Sequence, residues 1–122
     1  MLLQKNIIKN AEKLLPFAKK WIASNHRYTI RYGIGVFMRY FLDELFDEEY
    51  MRLISEIKSD EYYVKMMIAW YFATALAKQY DTAVKYIESK ALDPFTHKKA
   101  IRKAIESFRV TDEHKAHLKT LV

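Results

Sequence analysis

Residues 59–79, SDEYYVKMMIAWYFATALAKQ, decide the fold. Ser59 and Asp60 are residues that cap the start of a helix, and no glycine or proline follows them before Gln79. The apolar run from Met66 to Ala77 falls short of the roughly 18 residues that a membrane span needs, so the segment is expected to be a helix buried inside a protein. Upstream, Ser24 and Asn25 precede an amphipathic run from His26 to Phe46, and Asp47 and Glu48 open a shorter one to Lys58. Downstream, Asp81 opens a short run to Lys90, and Asp93-Pro94 opens a long one through Thr96 to Phe108. A last short run goes from Thr111 to Leu121.

Long helices are therefore expected to begin near His26, Asp60 and Pro94, each followed by a short one. The spacing of roughly 35 residues is that of helix-pair repeats. Leu3 to Ser24 reads as a leading helix that Pro16 kinks or divides. The prediction is an all-α superhelix of HEAT-like helix pairs, about three repeats, forming one domain over residues 1–122. Two glycines and two prolines are too few for a sheet protein rich in tight turns.

Composition narrows the chemistry. The chain has no cysteine, which excludes disulfides and thiolate metal sites and fits a reducing compartment. Its first residues lack the apolar core of a secretory signal, so a cytoplasmic location is expected. No phosphate loop, nucleophile motif or metal-ligand cluster stands out, and no cofactor is expected; His114 and His117 lack converging ligands. The net charge of +6 favours a polyanionic partner, since basic side chains release counterions from nucleic acid.

Arg27, Arg31 and Arg39 share a helical face with Gly35, a stripe suited to phosphate, with Gly35 as a notch. The competing reading is a solvated face paired with Asp43 or Glu44. Lys98, Lys99, Arg102 and Lys103 form a second basic group, against which Arg102 can pair with Glu106 one turn on. Tyr62, Tyr63, Trp70, Tyr71 and Phe72 of the central helix could stack on bases, the competing and more common reading being core; Trp70, with Lys65 one turn before it, is the one whose large ring is least often fully buried.

The ordered segments WIASNHRYTIRYGI, SDEYYVKMMIAW and THKKAIRKAIESFRV resemble the carboxyl-terminal half of the DNA alkylation repair glycosylases, from about Leu15 to the end. That family's Trp-x-x-Ser, then an aromatic residue and an arginine, is matched by Trp21, Ser24, Tyr28 and Arg31. The tryptophan of its Ala-Ile-Gly-Trp helix is matched by Trp70, with Ala69 in place of glycine. The resemblance implies duplex DNA, alkylated or abasic, as partner. It assigns DNA contact to Tyr28, Arg31 and Trp70, which with the basic stripe and patch read above gives an expected contact set of Arg27, Tyr28, Arg31, Arg39, Lys65, Trp70, Lys99 and Arg102. The family's catalytic aspartate precedes the Trp-x-x-Ser segment, and Met1 to Lys20 contain no aspartate, so the chain is expected to bind without excising. Apolar residues of the first helix, Ile7, Leu14 and Phe17, are expected to be uncovered and to drive homo-oligomerisation, with no membrane involved. The alternative is a helical-repeat scaffold for another protein.

Overall fold

A computed structural model describes residues 2–122, with side chains from Lys9 onward. Seven helices lie among the described residues: α1 Leu2–Ile22, α2 Arg27–Tyr40, α3 Glu48–Ser55, α4 Tyr62–Lys78, α5 Tyr80–Glu88, α6 Pro94–Glu106 and α7 Asp112–Lys119. The chain is all-α, and its long and short helices alternate as expected. Helices α1, α2, α4 and α6 pack side by side in that order as one layer. The short helices α3, α5 and α7 lie behind it, with α5 against α4 and α7 against α6. No helix among the described residues is long and apolar enough to cross a membrane.

The helix starts follow local chemistry. Asp47 accepts from the Glu49 amide at 2.8 Å, Asp93 from the Phe95 and Thr96 amides at 3.1 and 3.2 Å, and Thr111 from the His114 amide at 3.1 Å. Each satisfies a donor that the first turn leaves unpaired. Ser24 and Ser59 act earlier than expected. Their hydroxyls accept from the His26 and Glu61 amides at 3.0 and 3.1 Å, forming turns that deliver the chain to α2 and α4 without capping either helix. Helix α1 continues through Pro16, so the expected division does not occur.

Helix α4 is the centre of the molecule. Val64, Ile68, Ala69, Tyr71, Phe72, Ala75 and Leu76 are all buried, because α2, α6 and α5 cover it on three sides. Gln79 at its end donates its side-chain amide to the Leu42 carbonyl at 2.9 Å, and Lys78 pairs with Asp43 at 2.8 Å. These contacts hold the segment after α2 in a non-helical path, which is why α2 stops at Tyr40 and not at Phe46.

Close packing of α1 on α2 depends on Gly33. A β-carbon there would lie 2.9 Å from Ile22 Cγ2, 3.0 Å from Trp21 Cβ and 3.1 Å from the Ile22 backbone nitrogen.

Tyr71 carries a measurable liability. Its hydroxyl is buried and meets no hydrogen-bond partner among the described residues. Tyr71→Phe is expected to raise stability by about 1 kcal/mol, since an unsatisfied polar group is removed and the ring is kept. Burial also pushes the Tyr71 pKa up, with Tyr86 adding to it. An unfolded tyrosine ionises near pH 10, so the contribution of neutral Tyr71 is whole below that pH. It is lost as pH rises further, by about 1.4 kcal/mol per unit. Urea melts at pH 9 and pH 11 check this: the loss between them shrinks in Tyr71→Phe, and an equal loss in both proteins contradicts it.

Candidate nucleic-acid interface

The outer face of the long-helix layer carries the candidate site. Tyr28, Arg31, Tyr32, Gly35 and Arg39 from α2 and Met67 and Trp70 from α4 line one open groove of about 330 Å³. Four residues singled out from sequence, Tyr28, Arg31, Arg39 and Trp70, are thereby brought together. They come from segments some 40 residues apart in the chain, joined because α2 packs directly on α4.

Each side chain is held by its neighbours. Arg31 donates to the Tyr63 carbonyl and lies 5.6 Å from the centre of the Tyr63 ring, so its guanidinium bridges α2 to the first turn of α4. Arg39 lies over Tyr40 at 6.0 Å. Arg27, at the end of the same stripe, donates to Tyr28 and Glu61, both at 3.4 Å, and these bonds push its already high pKa up, so it stays charged. The expected partner Asp43 is taken by Lys78.

Trp70 is exposed, as are Tyr62 and Tyr63 in the first turn of the same helix. Trp70 itself is 52% exposed in the middle of a helix otherwise covered on three sides, while Tyr71 and Phe72 beside it are in the core. An exposed tryptophan forgoes the burial of a large apolar ring, worth about 2 kcal/mol, and leaves a flat aromatic face open to solvent. Gly35 deepens the groove beside it, with only the Met67 methyl, 3.5 Å from where a β-carbon would sit, for neighbour. Among the described residues, no carboxylate lines this groove.

The remaining sequence candidates are spread more widely. Lys99 is half-buried over the Phe95 ring at 5.8 Å, one turn before Lys103 on α6. Arg102 is exposed about 100° around the helix from Lys103. Lys65 stands apart from the groove. It pairs with Asp93 at 3.8 Å and faces a separate cavity with Asp60 and Thr96. Burial opposes the Asp93 charge, but hydrogen bonds from the Thr96 side chain and amides, with Lys65, hold its pKa below the usual carboxylate range. Lys65→Ala is therefore expected to leave DNA affinity almost unchanged and to cost under about 1 kcal/mol of stability. Parallel titration and melting would separate these, and a tenfold affinity loss would make Lys65 a DNA contact despite its distance from the groove.

Residues not singled out for DNA contact also reach this face. Tyr32 is as exposed as Tyr28, at 59%, and touches the edge of Trp21 with ring centres 5.1 Å apart. Trp21 in turn meets Phe17, which is 56% exposed, whereas Leu14 is half-buried against the core; the Ile7 side chain lies outside the described residues. His114 stacks on Tyr80 at 3.5 Å, and His117 bonds to Glu88 at 2.9 Å, so the two face different partners. No group that could hold a metal occurs among the described residues.

No known protein family, curated protein or solved structure matches the chain.

Proposed function

We propose that the chain is a DNA-binding module of the kind found in alkylation repair glycosylases, holding duplex DNA on the α2–α4 groove. The observation that carries this reading is the meeting of Arg31, Arg39 and exposed Trp70 in one carboxylate-free groove. Arginines spaced along a helix reach successive phosphates with paired donors, and Gly35 permits close approach of a backbone. Tyr28 and Trp70 offer flat faces beside the phosphate path, where a disturbed or alkylated base can stack.

Binding, not excision, is the activity proposed. Breaking the glycosidic bond of a cationic base builds positive charge on the sugar, which a carboxylate stabilises and which Arg31 and Arg39 oppose. The groove supplies two cations and no acid.

The test uses Trp70 as reporter. In a Trp21→Phe variant it is the sole tryptophan. Adding a short duplex at low salt is expected to quench and shift its emission with a saturable profile. A duplex that binds by anisotropy while Trp70 emission stays constant would move the site elsewhere.

A further inference from the structure

A second groove lies on the other side of Trp70. It has a volume of about 380 Å³, at the lower end of small-molecule sites, and runs between α4, α6 and the turn after α6. Trp70 and Phe108 both line it, together with Ala73, Thr74 and Ala77. Phe108 is 92% exposed, on a turn where Ser107 and Val110 hold the backbone by a 3.3 Å hydrogen bond. Lys103 and Arg109 bring two cations, and Glu106 one acid.

We infer that this groove takes an unpaired nucleotide, its base between Trp70 and Phe108 and its phosphate toward Lys103 and Arg109. The inference rests on the DNA-binding reading and adds the state of the strand. Aromatic faces stack any base but only when it is out of a duplex, since a paired base presents its edge and not its face. Small side chains from α4 leave room for a flat ring, and the two cations match a phosphate. Glu106 repels a phosphate but accepts a hydrogen bond from a base amine, which suits a base on that wall. Trp70 lines both grooves, so a strand leaving a duplex on the α2 side passes directly into the second groove. An acidic peptide, the nearest rival, would meet Glu106 and gain nothing from two aromatic faces that suit a flat base.

The experiment compares a blunt duplex with the same duplex bearing a single-stranded tail, by anisotropy, for the wild-type chain, Phe108→Ala and Arg31→Glu. The wild type is expected to bind the tailed form about tenfold more tightly, the worth of one stacked base. Phe108→Ala, at a position exposed enough to leave folding intact, is expected to remove that preference and leave blunt-duplex affinity unchanged. Arg31→Glu is expected to weaken both. Equal affinity of the wild type for both DNAs, or a preference that persists in Phe108→Ala, overturns the unpaired-nucleotide site while duplex binding stands. Absence of binding to either DNA overturns both.

Discussion

Replacing Arg31 with glutamate is expected to lower duplex affinity by roughly a hundredfold at moderate salt, combining a lost phosphate contact with a new repulsion of similar size. Arg31 is the arginine of the stripe placed between α2 and the start of α4, at the groove that also holds Arg39 and Trp70. The change also removes the hydrogen bond to the Tyr63 carbonyl, at a cost of about 1 kcal/mol in stability. Circular dichroism would show the variant still helical. Arg52→Glu is the control: it alters net charge equally on α3, in the layer behind, where Arg52 pairs with Glu56. A comparable loss in Arg52→Glu would mean that the whole charge and not the groove governs binding.

The second large effect concerns two glycines two residues apart with opposite roles. Gly33→Ala is expected to destabilise by about 1–3 kcal/mol, because the added methyl meets Ile22 and Trp21 near 3 Å, partly against backbone that cannot yield without moving α1. That outweighs the roughly 1 kcal/mol by which alanine improves a helix interior. Gly35→Ala meets the Met67 methyl at 3.5 Å, an ordinary van der Waals contact, so helix propensity prevails and stability rises by about 0.5–1 kcal/mol. The same methyl partly fills the groove, so DNA affinity falls as stability rises. Thermal melts of both variants with wild type check the signs, and equal shifts would contradict the packing described for α1 and α2.

These glycines also mark what the sequence could and could not convey. The stripe of Arg27, Arg31 and Arg39 drew attention to Gly35 as a notch, and Gly35 does line the groove. Nothing in the local pattern distinguished Gly33, whose role depends on the approach of α1. The helix order and the alternation of long and short elements followed from capping residues and apolar runs; Asp47 and Asp93 cap the starts they were expected to open, and Thr111, read only as the start of the last run, also caps it. Ends set by tertiary contacts were not legible. Helix α2 stops short because Gln79 and Lys78 hold Leu42 and Asp43 from another helix.

The candidate site divides in the same way. Helical periodicity put Arg31 and Arg39 on one face, and the size of Trp70 marked it as the aromatic least suited to full burial. The structure separates Trp70 from its buried neighbours Tyr71 and Phe72. Lys65 was chosen by proximity in sequence, but it lies about 140° around α4 from Trp70 and pairs with Asp93. Phe108 carried no signal, because a single phenylalanine near a helix end reads as core until its surroundings are known.

In the proposed complex, duplex DNA lies on the outer face of the long helices and is held by the cations there. Titrating a labelled blunt duplex across a salt series measures this most directly. Arg31, Arg39 and Lys99, joined by Arg27 when DNA displaces Glu61, predict a fall of log affinity against log salt with a slope of about −3 to −4. No measurable binding at low salt, or an affinity indifferent to salt, would contradict it.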